Sequence, residues 1–133
     1  MNPEIVDLWK RALQALQTSE SLVESDPDAA SSRAYYASFY AVSALLALQG
    51  QGFTKHTAVE RAVHRDLVKP GLWPVEVGSA FSWLANLRYT GDYGGQQHVL
   101  PEDARLAVER ARLILETVRR TAPEPLVDFE ASQ

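Results

Sequence analysis

Three residues suited to phosphate and acid–base chemistry, Arg88, Asp92 and His98, lie close together in a segment rich in glycine. A histidine changes charge near neutral pH and can act as a general base, while an arginine can hold a phosphate group. The same residues also have structural explanations. Arg88 suits the last turn of a helix, where the dipole favours a cation, Asp92 suits a glycine turn, and an isolated loop histidine is often only solvated. The spacing leaves both interpretations open.

A second candidate group lies in the segment Ser-Arg-Ala-Tyr-Tyr-Ala-Ser-Phe-Tyr-Ala at 32–41. At helical spacing, Arg33, Tyr36 and Tyr40 fall on one face. An arginine in a mostly apolar helix is costly unless its guanidinium meets an acid or an aromatic ring. Either Arg33 pairs with a carboxylate and the tyrosines are core residues with solvated hydroxyls, or Arg33 and a tyrosine hydroxyl line a phosphate-binding groove.

Lys55 and His56 form a third candidate group at the predicted start of a helix. Thr54 or Thr57 can cap that helix, and Glu60 completes a capping-box pattern with Thr57. Lys55 and His56 would then stand at the helix N-terminus, where anions bind readily. Capping by itself explains the threonines but does not require the basic pair.

Composition excludes several other kinds of site. The chain has no cysteine, which excludes disulfides, thiolate metal sites and cysteine nucleophiles. His56 and His64 are eight residues apart without a familiar ligand spacing, and no Gly-x-x-x-x-Gly-Lys loop is present. We therefore expect no metal site and no cofactor. The net charge of −4 argues against tight nonspecific binding to long nucleic acid, although a local basic patch is compatible with it.

The elements that must position these residues are helices with a shared start signal. Pro3, Pro27, Pro74 and Pro101 each stand where a helix would begin, with acidic residues close behind. The predicted helices are Pro3 to Glu24, Pro27 to Leu48, His56 to Val68, Val75 to Tyr89, and Pro101 to Arg120. The sequence thus predicts an all-α, up-and-down bundle of about five helices over residues 1–120, followed by a flexible, acidic, proline-containing tail at 121–133.

The second predicted helix differs from the others because small residues line one of its faces. Ala30, Ala34, Ala37, Ala41 and Ala44 alternate steps of four and three. Such a face lets a neighbouring helix approach closely, and aromatic and leucine side chains cover most of the remaining circumference. We expect this helix to be central. A structural adaptor, in which the alanine face packs against another subunit, is an alternative.

The sequence predicts neither a membrane span nor a signal peptide. No stretch approaches the ~18 consecutive apolar residues that a span needs. Met1 is followed by Asn2, Pro3 and Glu4, not by a basic segment and an apolar one. With no cysteine present, a cytoplasmic location is the simplest expectation.

From about residue 4 to 120 the chain resembles the HEPN family (higher-eukaryote and prokaryote nucleotide-binding domains). The resemblance rests on the segment at 32–41, on Gly50 with Lys55-His56, and on Leu-Arg-Tyr-x-Gly-Asp-Tyr at 87–93. It is closest to the small free-standing prokaryotic members. The resemblance implies an up-and-down helical bundle, usually a homodimer, with a cleft near the dimer seam.

The resemblance implies two kinds of activity. Many HEPN proteins are metal-independent ribonucleases that act as toxins, often paired with a small nucleotidyltransferase as antitoxin. Others bind nucleotides or support a nucleotidyltransferase without catalysis. The ribonuclease signature is an arginine followed by a histidine after four to six residues. Here nine residues separate Arg88 from His98, and two separate Arg61 from His64, so neither pair has the signature spacing.

The favoured hypothesis is therefore a nucleotide- or RNA-binding HEPN protein that need not cleave its ligand. It would be one component of a toxin–antitoxin or nucleotidyltransferase-associated system, with a homodimer and a nucleotidyltransferase partner expected. The alternative is a metal-independent endoribonuclease toxin using Arg88 and His98, which requires the glycine-rich loop to fold back. The candidate nucleotide- or phosphate-binding residues are Arg33, Tyr36, Tyr40, Lys55, His56, Asp92 and Tyr93.

Overall fold

Helices make up the regular structure of the computed structural model, which describes residues 1–52 and 55–126. Their order is α1 (Pro3–Leu22), α2 (Pro27–Leu48), α3 (His56–Ala62), a π-helical continuation of α3 (Val63–Val68), α4 (Val75–Tyr93) and α5 (Pro101–Thr121). The described residues contain no β-strand. The predicted all-α bundle is therefore confirmed.

The first two helices begin with the caps that the sequence indicates. The side chain of Asn2 accepts a hydrogen bond from the Glu4 N–H at 2.8 Å, and Asp26 accepts one from the Ala29 N–H at 3.1 Å. A proline follows each cap at the first helical position. Each cap satisfies one of the N–H groups that a helix start leaves without a partner.

The predicted capping box of α3 is not formed. The cap position is occupied by Lys55, which makes no side-chain cap hydrogen bond. Thr57 therefore lies inside the helix, and the Glu60 carboxylate accepts a hydrogen bond from the Ser82 hydroxyl at 2.8 Å instead. Thr54, the other predicted cap, lies outside the described residues.

The alanine face of α2 is buried inside this chain. Ala30, Ala34, Ala37, Ala41 and Ala44 are all fully buried, and α2 packs against α1, α4 and α5. The small side chains let α1 approach so closely that its Ser19 hydroxyl donates to the Ala30 carbonyl at 2.7 Å. The prediction that α2 is central is confirmed. The alternative in which this face packs against another subunit is wrong, because the face has no exposed surface.

The fourth helix is longer than predicted, since it continues through Tyr93 and not only to Tyr89. Gly91 is helical, and its missing side chain makes room for the start of α2. A Cβ atom there would lie 2.7 Å from the Ser31 hydroxyl oxygen and 2.8 Å from the Asp28 carbonyl oxygen. The glycine therefore serves close packing. The chain turns after it, at Gly95, where φ is +63°.

The end of the bundle is closed by contacts that reach beyond α5. The buried Trp73 donates its indole N–H to the Thr121 hydroxyl at 3.1 Å. Leu126 belongs to the core and is buried, so the first residues of the predicted tail pack against the bundle. The remainder of that tail, 127–133, lies outside the described residues.

Replacing a buried alanine of α2 by leucine tests whether the small face sets the spacing of the helices. Ala37→Leu is expected to lower the free energy of unfolding by roughly 1–3 kcal/mol, because a fully packed interface must deform to admit the larger side chain. Urea unfolding followed by circular dichroism measures the change. Gln17→Leu, on the exposed side of α1, is the control and should change stability by less than about 0.5 kcal/mol. Equal stability of the two variants would contradict the packing argument.

Candidate functional site

Arg88 extends from α4 into a group of tyrosine rings. Its guanidinium carbon lies 5.1 Å from the ring centroid of Tyr35, 5.8 Å from that of Tyr36 and 6.0 Å from that of Tyr93. Its side chain is only 16% exposed. Aromatic faces attract a guanidinium, and more strongly when water is excluded. The tyrosines thus hold a positive charge in a largely desolvated position.

The hydrogen-bonding capacity of Arg88 is not used up. Asp92 lies one helical turn further along α4, and its Oδ2 accepts from Arg88 Nη1 at 3.4 Å, which is long for a charged pair. The Nε of Arg88 is buried and has no hydrogen-bond partner in the described part of the chain. A buried donor without a partner costs about 1–3 kcal/mol. Asp92 lies inside α4 and is a weak partner of Arg88, so the interpretation of this residue as a turn former is wrong.

His56 stands beside Arg88, although 31 residues separate them in the chain. Its Nδ1 lies 2.7 Å from the Tyr35 hydroxyl oxygen, and its ring stacks on Phe39 with a centroid distance of 4.4 Å. The rings of Tyr35 and Tyr36 contact both His56 and Arg88. Burial, and then the positive charge of Arg88, hold the pKa of His56 below its ordinary 6.5. His56 is therefore a neutral imidazole at pH 7.

Tyr35 connects the two basic residues and remains protonated. Burial raises the pKa of its phenol well above the ordinary range, an effect that the charge of Arg88 only partly offsets. The bond between Tyr35 and His56 allows two proton arrangements. If the phenol donates to Nδ1, the imidazole carries its proton on Nε2. If Nδ1 donates to the phenol oxygen, Nε2 keeps the lone pair that a base requires.

His98 has a different partner. Its Nδ1 lies 2.6 Å from Asp28 Oδ2, and Asp28 Oδ1 accepts from the Val99 N–H at 2.7 Å. Partial burial acts to raise the pKa of Asp28, but the hydrogen bonds from Val99 and His98 hold it below 3.8. The glycine-rich segment does fold back, but onto the first turn of α2. Tyr35 lies two turns further along α2, about 10 Å away along the helix axis, and no contact joins His98 to Arg88.

The predicted face of Arg33, Tyr36 and Tyr40 is present. The guanidinium carbon of Arg33 lies 4.8 Å from the ring centroid of Tyr36, and the centroids of Tyr36 and Tyr40 are 5.9 Å apart. Arg33 forms no ion pair with any described residue, so the aromatic ring takes the place of the expected carboxylate. Arg33 and Tyr40 also line a groove of about 490 Å³ between α1 and α2, together with Arg11.

The remaining predicted site residues lie at the edges of this cluster. Tyr93 is 65% exposed, and its ring centroid is 5.2 Å from that of the exposed Tyr89. Lys55 is exposed beside His56. Among the described residues, no three His, Asp or Glu side chains are grouped to hold a metal ion. None of the described helices is long and apolar enough to cross a membrane.

The segments that bear the resemblance converge on this site. The aromatic face comes from 32–41, His56 from the start of α3, and Arg88 from 87–93. The family model of the HEPN domain matches residues 5–121. The chain belongs to the HEPN domain family. Nothing in the sequence spacing pairs Arg88 with His56; only the packing of α3 and α4 against the aromatic face does so.

Curated proteins are similar to this HEPN domain along most of their length. A UPF0332 protein of Thermotoga maritima is 33% identical over 119 residues, covering 88% of this chain and 90% of the relative. A UPF0332 protein of Gloeobacter violaceus is 33% identical over 113 residues, covering 84% and 90%. A protein of Methanocaldococcus jannaschii named "Putative toxin MJ0142" is 29% identical over 118 residues, covering 88% and 80%.

The electrostatic link between Arg88 and His56 can be measured by histidine titration. Removing the charge in Arg88→Met is expected to raise the pKa of His56 towards 6.5, because the nearby cation disfavours the imidazolium. NMR titration of the histidine Cε1 protons measures this, with His56→Gln used to assign the resonance. A pKa of His56 that is the same in the parent and in Arg88→Met would contradict the proximity of the two groups.

The contacts of Asp28 predict a structural role for the His98 segment. Asp28→Ala is expected to lower the free energy of unfolding by roughly 1–2 kcal/mol, since the Val99 N–H loses its acceptor. His98→Ala should cost less than about 0.5 kcal/mol because that side chain is mostly solvated. Because the pKa of Asp28 is lowered on folding, its contribution is complete above pH 3.8 and is lost as the pH falls further. Urea unfolding at pH 7 compares the variants, and a larger loss in His98→Ala would contradict this ranking.

Proposed function

We propose that this HEPN protein binds RNA or a nucleotide through Arg88 and is the toxin-type component of a two-gene system. The observation that carries the proposal is the state of Arg88. Its guanidinium is mostly buried, its contact with the Asp92 carboxylate is long at 3.4 Å, and its Nε has no hydrogen-bond partner among the described residues. A phosphate group offers the oxygen acceptors that a guanidinium matches best. The relative that carries the name "Putative toxin MJ0142" supports the toxin-type role.

The tyrosines around Arg88 supply the second element of RNA recognition. Tyr36 is partly exposed, and Tyr89 and Tyr93 expose well over half of their surface. Single-stranded RNA is commonly bound by stacking its bases on aromatic side chains beside a cation that holds the phosphate. A base on Tyr93 or Tyr36 would place the adjacent phosphate near Arg88.

The oligomeric state and the partner belong to the same proposal. The resemblance to HEPN proteins implies a homodimer with the cleft near the dimer seam. Tyr89 and Tyr93 form an exposed aromatic surface at the edge of the site. A second copy of the chain packed near this surface would enclose Arg88. A small nucleotidyltransferase is the partner that we expect for such a dimer.

The structure favours a second candidate function, metal-independent RNA cleavage with His56 as the base. A neutral imidazole would take the proton of a ribose 2′-hydroxyl. The 2′-oxygen would then bond to phosphorus as the bond to the 5′-oxygen breaks, leaving a 2′,3′-cyclic phosphate and a 5′-hydroxyl that takes up a proton. Arg88 would stabilise the charge on the phosphate oxygens. This route requires the arrangement in which Nδ1 of His56 donates to Tyr35.

One set of variants tests both candidates. Binding of 2′-O-methyl RNA, which this route cannot cleave, is measured by fluorescence anisotropy for the parent, Arg88→Ala, Arg88→Lys, His56→Ala and His98→Ala. We expect Arg88→Ala to weaken binding by about 10- to 100-fold, the value of a charged hydrogen bond. Arg88→Lys should recover part of the loss, and His98→Ala should bind like the parent. Circular dichroism and light scattering establish that each variant is folded and in the same oligomeric state.

Cleavage of unmodified RNA in excess chelator separates the two candidates. If the parent cleaves and both Arg88→Ala and His56→Ala lose the activity while His98→Ala keeps it, the protein is a ribonuclease with the Arg88–His56 pair. Binding without cleavage leaves the non-catalytic proposal. Loss of cleavage in both Arg88→Ala and His98→Ala, with His56→Ala still active, would restore the pair expected from the sequence. An Arg88→Ala variant that binds RNA like the parent would overturn the proposed site.

A further inference from the structure

A second cationic surface lies on α3, outside the site of Arg88. It is an open groove of about 560 Å³, which we call the α3 groove. The groove is lined by Thr57, Glu60, Arg61, His64, Arg65 and Lys69. Three of these residues are cations, in a chain whose net charge is −4.

The π-helical segment places Lys69 on the same side as His64. Lys69 is five positions after His64, and an α-helix would place their side chains about 140° apart at 100° per residue. Here the Lys69 N–H donates to the His64 carbonyl at 2.9 Å, so the turn is wider and both residues line the same groove. Single π turns recur at functional sites.

The cations of the α3 groove are available to a ligand. Arg61 and Lys69 are exposed and form no ion pair with any described residue. Two arginines of α5 behave differently, because Arg105 pairs with Glu24 at 2.6 Å and Arg112 pairs with Glu20 at 2.7 Å. Arg65 is held by Asp66 through two contacts, at 2.9 and 2.7 Å.

Glu60 is the one acid among the described residues that line the groove, and its carboxylate is held by a neighbouring side chain. The Glu60 carboxylate accepts the Ser82 hydroxyl proton at 2.8 Å. Since that hydroxyl has a single proton, its 2.8 Å contact with His64 must be donated by the Nε2–H of the imidazole. His64 also packs against Gly78, where a Cβ atom would lie 3.3 Å from its ring. The chain of hydrogen bonds fixes α3 against α4 and occupies Glu60.

We propose that the α3 groove holds the phosphates of single-stranded RNA on one side of the Arg88–His56 site. The inference rests on the proposed RNA-binding function and extends it. His56 begins the same helix, and the next residue, Thr57, already lines the groove. A strand leaving the site along α3 therefore reaches Arg61 after about one and a half helical turns and Lys69 after a further distance on the order of 10 Å.

The test compares two double variants with the same change in net charge. Arg61→Gln/Lys69→Gln removes the two unpaired cations of the groove, and Arg105→Gln/Arg112→Gln removes two cations of α5. Each protein is titrated into 2′-O-methyl RNA of about twelve nucleotides, within the usual range of single-strand site sizes, over a series of salt concentrations. Binding of a dinucleotide, which is too short to reach the groove from Arg88, is measured in parallel by calorimetry.

We expect the groove variant to reduce the slope of log affinity against log salt by about 1.4, since each phosphate contact on a single strand contributes about 0.7. Its dinucleotide affinity should equal that of the parent, and the α5 variant should match the parent with both ligands. Equal slopes for the two double variants would contradict the proposed role of the α3 groove. RNA binding that still depends on Arg88 would then leave the proposed function in place. A parent that binds neither RNA would overturn the proposed function and this inference together.

Discussion

The helix α2 is buried over most of its circumference, and α1, α4 and α5 pack around it. Its alanine face has no exposed surface and admits close neighbours, whereas its other side carries the rings of Tyr35, Tyr36 and Phe39. A buried ring with a hydroxyl needs a polar partner, and Tyr35 finds it in His56 at the start of α3. The central helix α2 therefore also supplies the aromatic rings against which the candidate site is built.

Arg88 lies against the rings of Tyr35 and Tyr36. Its buried Nε has no hydrogen-bond partner among the described residues, and this energetic cost is only partly offset by the aromatic rings. Its charge lowers the pKa of His56 and opposes the increase that burial causes in the pKa of Tyr35. At neutral pH, Arg88 is therefore a cation, His56 a neutral imidazole and Tyr35 a protonated phenol. This combination suits a phosphate ligand, because positive charge and hydrogen-bond donors are present and, among the described residues, the carboxylate that pairs with Arg88 makes only a long contact of 3.4 Å.

The family assignment and the geometry support one another without saying the same thing. HEPN membership follows from a match over almost the whole chain, and it would hold for a variant with no functional site. The geometry adds that the three segments of the resemblance meet around Arg88. The geometry also distinguishes two histidines. His56 stacks on Phe39 of α2, whereas His98 contacts Asp28 in the first turn of the same helix.

The sequence by itself determined the helices, their proline starts, the central position of α2, and the family. Those properties depend on local signals, namely caps, apolar period and motifs within a single segment. It also named Arg88 and His56, but only as members of separate segments. The tertiary structure alone decided that Arg88 adjoins His56 and not His98, that Gly91 stays helical to admit the start of α2, and that a π turn aligns Lys69 with His64. The physical reason is that such contacts depend on how whole helices pack against one another. The spacing of residues along the chain does not indicate which residues of different helices meet.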